Sequence, residues 1–263
     1  MNKVYYYRDE VNDDFASSNG KIGRDTVNGE YKYSHHSVWW KIGVFFAYRL
    51  IATPLVWLYT KIWLGIRVEN RAAMRKVKGC FVYMNHTQNI ADAFSPTILS
   101  FPKRAYVVTG PEAVSIKGIR VLVALLGAIP LPSALSAFRP FDNKLREAME
   151  EKASVIIYPE AHIWPYCNFI RRFPDKSFSY PCRLNAPVIA AVTVYRQRKI
   201  FKNLHPHITV YLSEPLYPDA DLPEKQARRK LCDEAYDFMS RTAKEHNSYE
   251  YVKYIKIEDE QNG

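Results

Sequence analysis

The longest apolar stretch of the chain runs from Val38 to Gly65, and beyond residue 79 the pattern changes to short apolar runs separated by polar turns. A helix crossing a membrane needs about 20 largely uncharged apolar residues. Here Arg49 and Pro54 interrupt the middle, and Lys41 and Lys61 bracket it. A charge near the centre of a span costs about 3 kcal/mol on insertion scales. The pattern therefore predicts two shorter helices meeting near Pro54 rather than one clean span. Trp39, Trp40, Trp57 and Trp63 are the amphipathic aromatics favoured at the lipid–water boundary. The pair reads as a monotopic membrane anchor or, alternatively, as two helices packed on the core of the domain.

From residue 79 onward the runs alternate between strand and helix character. Cys80–Met84, Ala105–Thr109, Val155–Tyr158 and Ala186–Val194 read as buried strands, and His207–Leu212 alternates as an edge strand would. Between them, Ala91–Leu99 and Ile119–Leu126 read as helices, the second ending at the suitable cap Gly127. Ile129–Leu131 is a short extended piece, Asn143–Lys152 an amphipathic helix, and Pro223–Glu245 a long charged helix with Leu231, Ala235 and Phe238 at helical spacing. The fold class that follows is α/β, a mixed β-sheet flanked by helices, with an N-terminal hydrophobic helix pair. The organisation is a polar arm at 1–35, the membrane-associating pair at 36–70, the main α/β domain at 71–250 and an acidic tail at 251–263. The Tyr-rich arm reads as loosely ordered and the tail as mobile. The arm contains no apolar stretch, so no secretory signal peptide is expected.

Composition narrows the partners. The 263 residues carry a net charge of +10, 48% apolar residues and 19 Tyr. That is enough for one globular α/β domain with an appendage. The excess of positive charge points to an anionic partner such as a membrane surface, a phosphate-bearing substrate, an acidic carrier protein or nucleic acid. The positive residues are spread along the chain with no nucleic-acid-binding motif, so no nucleic-acid partner is expected. Cys80, Cys167, Cys182 and Cys232 are scattered without a CxxC pair, which fits free thiols better than a disulfide framework or a zinc site.

Two strand ends carry the candidate chemistry. After Cys80–Met84 comes Asn85-His86-Thr87-Gln88-Asn89-Ile90-Ala91-Asp92. After Val155–Tyr158 comes Pro159-Glu160-Ala161-His162. In α/β proteins ligands bind in the crevice beyond the carboxyl ends of the strands. A histidine oriented by a carboxylate is a standard means of activating a hydroxyl. His-Asp pairs also arise by chance, and the lesser alternative for Glu160 is a carboxylate favoured at a helix N-terminus. Together these four acidic and imidazole groups are legitimate metal ligands, yet no HExxH-like spacing supports a metal, and none is expected. Trp164-Pro165-Tyr166 either lines a tunnel or covers the site against water, or else packs in the core.

These segments resemble the glycerolipid acyltransferases, the family that includes lysophosphatidic acid and glycerol-3-phosphate acyltransferases. The family hallmark is Asn-His, a short spacer and Asp, followed further on by Phe-Pro-Glu-Gly. Leu126–Pro130 resembles the second family motif and Ala186–Val192 the fourth, so the resemblance spans about residues 75 to 220. The chain departs from the pattern in its five-residue spacer, in Ala161 for glycine, in His162-Ile163 for Thr-Arg, and in lacking the second-motif arginine, for which Arg139 is the nearest candidate.

The resemblance implies an O-acyltransferase, with His86 as general base and Asp92 as its orienter. It assigns Asn85, Glu160, His162, Arg139, Arg171 and Arg172 to substrate binding, the arginines standing in for the displaced phosphate contacts. Each of these arginines reads equally as a surface charge, and His162 as a loop cap. The implied donor is acyl-CoA or acyl carrier protein, used as a substrate with no resident cofactor. The implied acceptor is a lysophospholipid, best 1-acyl-sn-glycerol-3-phosphate. The implied location is the cytoplasmic face of a cell membrane, with membrane lipids as partners. The alternatives are an acceptor without phosphate, a degenerate lipid-binding protein, or a hydrolase. The last is disfavoured because no GxSxG elbow is present.

Overall fold

The structure is a computed structural model that describes residues 3–15, 27–88, 90–114, 120–200 and 205–257. Nine strands are described in chain order: β1 (Lys3–Tyr7), β2 (Arg67–Glu69), β3 (Cys80–Met84), β4 (Ala105–Thr109), β5 (Ala128–Pro130), β6 (Ser154–Ile157), β7 (Val188–Arg196), β8 (His207–Leu212) and β9 (Val252–Lys256). Seven of them form one sheet in the order β2-β8-β7-β3-β6-β4-β5. Every neighbouring pair is parallel except β7 and β8. The sheet is therefore mixed and flanked by helices, as the alternation of runs indicates.

The central strands read as unbroken apolar runs because both of their faces are covered. Odd and even residues enter two separate cores. On one face Phe81, Tyr83, Val155, Ile157 and Val188 pack against Phe141 and Leu145 of the helix Phe138–Glu150 and against Leu231, Ala235 and Met239 of the helix Glu224–His246. On the other face Cys80, Val82, Met84, Ile156 and Ile189 meet Ala91 and Leu99 of the helix Ala91–Ser100, together with Leu64, Ile66 and Met74. The register pairs Tyr83 with Ile157 and Met84 with Ala191, so the loops leaving β3 and β6 emerge at the same edge.

Three expectations are corrected. His207–Leu212 is not an edge strand, because β2 pairs outside it from Arg67 to Glu69. Three residues give too short a pattern for β2 to be read from sequence.

The expected N-terminal helix pair is one continuous helix, Val38–Trp63. Pro54 does not break it. Phe45–Ala52 is wound as a π-helix, and Pro54 falls in the first turn of the α-helical segment that follows. The wider turn relieves the clash of the proline ring with the preceding carbonyls. The Thr53 hydroxyl donates to the Tyr48 carbonyl at 2.7 Å, and that of Thr60 to the Val56 carbonyl at 2.7 Å. Arg49 is turned to the domain, where its guanidinium donates to the Pro102 carbonyl and lies 5.9 Å from the Phe101 ring centre. Tyr48, Thr53, Val56 and Thr60 form the buried stripe of this helix, whereas Phe46, Leu50, Leu55, Trp57, Leu58 and Ile62 are exposed.

The described parts of the two chain ends are paired rather than loose, and residues 16–26 of the arm lie outside the described residues. β1 pairs in parallel with β9, from Lys3 with Val252 to Tyr7 with Lys256. β1 carries three consecutive tyrosines, Tyr5 to Tyr7, and Tyr5 stacks on Tyr254 of β9 at 5.5 Å. The tail expected at 251–263 thus begins with a strand, and its residues from 258 on lie outside the described residues.

A cavity of about 610 Å³ opens between residues 31–44, Arg104, Tyr106 and the helix Phe138–Glu150. Its wall includes the start of β4, and none of the histidine-loop residues lines it.

Candidate active site

Where the backbone of β3 leaves the sheet, the Asn85 side chain continues the pairing. Its amide donates to the Thr193 carbonyl at 3.1 Å, and its carbonyl accepts the Thr193 N–H at 2.8 Å. This buried clamp on β7 fixes the point from which His86 departs. Asn85 therefore acts on the backbone of the loop.

The next turn is organised by one carboxylate oxygen. Asp92 Oδ2 accepts the backbone N–H groups of Thr87 and Gln88, both at 2.8 Å, and lies 2.9 Å from His86 Nδ1. Asp92 occupies the first turn of the helix Ala91–Ser100, where backbone dipoles favour a negative charge. A carboxylate oxygen accepts, so in the neutral imidazole the proton sits on Nδ1 and Nε2 carries the lone pair. Nε2 has no hydrogen-bond partner among the described residues. The His86 ring stacks on Tyr158 with centroids 4.3 Å apart and planes at 21°. The Tyr158 hydroxyl donates to the Asp92 carbonyl at 2.6 Å. The ring is thus held by its edge and by one face, while its side chain remains 18% exposed.

Glu160 stands behind this loop. Oε2 accepts the His86 backbone N–H at 3.0 Å and the Arg171 guanidinium at 3.0 Å, and Oε1 accepts the Arg171 backbone N–H at 3.0 Å. Both side chains of this ion pair are 1% exposed. Burial pushes the Glu160 carboxyl up from its ordinary value, opposed by Arg171 and by the two backbone N–H groups. The turn that delivers Glu160 is tight. Ala161 N–H bonds the Tyr158 carbonyl at 3.1 Å, and His162 N–H bonds the Glu160 carbonyl at 2.8 Å, with Ala161 at φ +62°. That is a γ-turn about a left-handed residue, a conformation in which a Cβ is unfavourable.

A second backbone contact closes the assembly. Trp164 N–H donates to the His86 carbonyl at 3.1 Å and Tyr166 N–H to the Thr87 carbonyl at 2.9 Å. Thr87 and Gln88 both bond the buried Tyr195 hydroxyl, at 2.7 and 2.8 Å. Sequence reasoning did not single out Tyr158 or Tyr195. The first precedes the Pro-Glu pair and carried a signal as a bulky polar residue at a strand end. The second lies 108 residues from Thr87, and no local pattern marks it. Trp164 is completely buried, so of the readings of Trp164-Pro165-Tyr166 its own ring follows the packing one.

The remaining sequence candidates are not gathered at His86. Arg171 is enclosed with Glu160; its Nε and Nη1 have no hydrogen-bond acceptor among the described residues, and its Cζ lies 4.8 Å from the Trp164 ring centre. Arg172 is exposed, with its guanidinium over Tyr236 at 4.6 Å and its backbone N–H on Glu10. Arg139 is exposed in the first turn of the helix Phe138–Glu150. His162 is partly exposed and lies 3.6 Å from Asp14 of the N-terminal arm. Among the described residues no group of three His, Cys, Asp or Glu side chains is placed to hold a metal ion.

No family sequence model matches the chain, and no curated protein sequence does. Among solved structures it is similar to the crystal structure of the 1-acyl-sn-glycerophosphate (LPA) acyltransferase PlsC from Thermotoga maritima. The TM-score is 0.54 and the identity 17%, over 75% of this chain and 80% of that one. The chain has a glycerolipid acyltransferase fold. At this identity the likeness is one of fold, and the chemistry has to be argued from the residues themselves.

Proposed function

We propose that the protein is a membrane-associated O-acyltransferase that moves an acyl group from a thioester, acyl-CoA or acyl carrier protein, to the hydroxyl of a lysophospholipid. The observation that carries this reading is the His86–Asp92 pair, 2.9 Å apart at the carboxyl edge of an acyltransferase-type sheet, with Nε2 unpartnered among the described residues. In the proposed reaction Nε2 takes the proton of the acceptor hydroxyl as its oxygen attacks the thioester carbonyl. The tetrahedral intermediate then collapses, the C–S bond breaks, and the departing thiolate takes the proton back from the imidazolium. Asp92 holds Nδ1–H throughout and stabilises the transient positive charge. The substrate supplies the nucleophile, so no acyl-enzyme is formed.

Glu160, Arg171 and Asn85 fit best as residues that hold the His86 loop. The exposed apolar face of the helix Val38–Trp63 supports attachment to a membrane, and this helix is also long and apolar enough to cross one. We assign the site to the cytoplasmic face, where acyl thioesters are available.

The best acceptor under this reading is 1-acyl-sn-glycerol-3-phosphate. The placement of the arginines favours a second reading for the acceptor alone. Arg171 is buried against Glu160, and Arg139 and Arg172 are exposed away from the His86 contacts, so an acceptor hydroxyl without a phosphate also fits. The test is to incubate the purified protein in liposomes with acyl-CoA or acyl carrier protein and a panel of lyso-acceptors. Thiol release and acylated lipid are followed together, with His86→Ala as control. Acceptor-dependent product that is lost in the variant supports the reading and names the acceptor. Thiol release without product indicates hydrolysis. No turnover with any pair points to a degenerate lipid-binding protein.

A further inference from the structure

We propose that Trp164 is a positioning residue for His86 and Glu160, and that the two paired chain ends hold Trp164 in place, so that the termini set the activity of a site built at the edge of the sheet. The inference rests on the reading of His86 as the base. Residues 158–174 contain no helix or strand, so contacts from elsewhere have to fix their course.

Trp164 connects the site to those contacts. On the site side its backbone N–H holds the His86 carbonyl at 3.1 Å, and its ring faces the Arg171 guanidinium, the ion-pair partner of Glu160, at 4.8 Å. On the outer side its indole N–H donates to the Asp13 carbonyl at 2.7 Å. Its ring stacks on Tyr254 of β9 at 4.9 Å and meets Tyr7 of β1 at 4.7 Å and Phe15 at 5.2 Å. The chain ends grip the same loop at three further points. The Tyr254 hydroxyl donates to the Pro165 carbonyl at 2.8 Å, Glu10 accepts the Arg172 N–H at 2.9 Å, and Asp14 lies 3.6 Å from His162. Two segments about 250 residues apart in sequence, joined in register as β1 and β9, thus converge on one indole.

A base displaced by about 1 Å loses on the order of a hundredfold in rate even when it stays folded. The outer contacts are accordingly expected to appear in kcat, while substrate binding and the core are little affected.

Two full-length variants test this. Tyr7→Ala/Phe15→Ala removes two rings from the clasp and touches nothing at His86. Trp164→Phe keeps a ring beside Arg171 and loses the indole donor. Phe15→Tyr is the conservative control. Hydrogen exchange is read at the amides of His86, Thr87, Gln88 and Arg171 against the core amides of Val82 and Val155, alongside kcat and KM.

The expected result is exchange at the loop amides faster by about tenfold or more, core amides unchanged, kcat lower by about tenfold and KM within about threefold, with Phe15→Tyr behaving as wild type. Loop amides that stay protected, loop and core amides that accelerate together, or faster exchange with an unchanged kcat would each overturn the proposal. If the wild type transfers no acyl group, the reading of His86 fails at that step, and the exchange data still decide whether the termini hold the loop.

Discussion

Glu160 Oε2 accepts the backbone N–H of His86 at 3.0 Å, across 74 residues of sequence. The glutamate beyond the end of β6 thereby fixes the main chain of the histidine beyond the end of β3, the direct neighbour of β6 in the sheet although β4 and β5 lie between them in sequence. Its other bonds go to Arg171, whose charge compensates its own in a place without solvent. Removing one partner of a buried pair leaves the other uncompensated, which typically costs about 3–5 kcal/mol. Arg171→Met is therefore expected to destabilise the fold by that order, as measured by urea unfolding. A loss of less than about 1 kcal/mol would show that solvent reaches the pair.

The same pair gives a pH dependence with a definite sign. Burial raises the Glu160 carboxyl above its ordinary 4.5, so the folded state holds that proton more tightly than the unfolded state. The contribution of Glu160 to stability is then fully present below the unfolded value and is lost as pH rises through the raised folded value. The difference in unfolding free energy between wild type and Glu160→Gln should shift against the wild type as pH climbs above about 4.5. A shift in favour of the wild type would mean that Arg171 and the backbone N–H groups outweigh desolvation.

Asp92→Asn separates charge from geometry. One oxygen, Oδ2, accepts the Thr87 and Gln88 N–H groups and faces His86 Nδ1, so the amide oxygen of Asn can take that place and keep all three contacts, and what is lost is the negative charge that stabilises the imidazolium. If His86 acts as proposed, kcat falls by about 10²–10⁴-fold, with near-UV circular dichroism unchanged. His86→Ala should fall at least as far. Retention of activity in Asp92→Asn would remove Asp92 from the mechanism.

Ala161 sits at φ +62° in the turn that carries Glu160, at the place where the acyltransferase motif has glycine. Left-handed backbone costs an L-residue about 1–2 kcal/mol, and glycine is free of that cost. Because glycine also gains freedom in the unfolded chain, the net gain for Ala161→Gly should be below about 1 kcal/mol. Ala161→Val should destabilise by more than about 1 kcal/mol, since a β-branched side chain fits this region worst. Denaturant midpoints of the three proteins would decide the order.

The central sheet was legible because Cys80–Met84, Val155–Ile157 and Val188–Val194 are buried on both faces, and a run without polar breaks is the signature of that environment. His86 and Asp92 were legible because they lie six residues apart, within one turn. The arrangement of Glu160 and Arg171 was not, since a buried ion pair and two exposed arginines have the same appearance in a sequence. The union of β1 with β9 pairs segments about 250 residues apart, and no local pattern encodes such a contact. The single N-terminal helix was missed for a different reason. Pro54 and Arg49 are each unfavourable in the middle of an apolar helix, and what offsets them, a π-helical turn and the Pro102 carbonyl, comes from the structure around them.

That helix has two faces with opposite expectations. Leu55 and Leu58 point away from the domain, while Val56 lies in the stripe that packs on it. Exposed leucines need a lipid or another apolar surface, and burying one side chain of this size contributes about 1.5–3 kcal/mol. Leu55→Lys/Leu58→Lys should therefore weaken co-sedimentation with anionic liposomes by at least about tenfold, with the melting temperature in detergent unchanged. Val56→Lys should do the reverse, lowering the melting temperature because a charge is forced against the helix Ala91–Ser100 and the core beneath it. If the double leucine variant still binds liposomes as the wild type does, another surface holds the protein on the membrane. If it unfolds instead, the apolar face packs on protein rather than lipid.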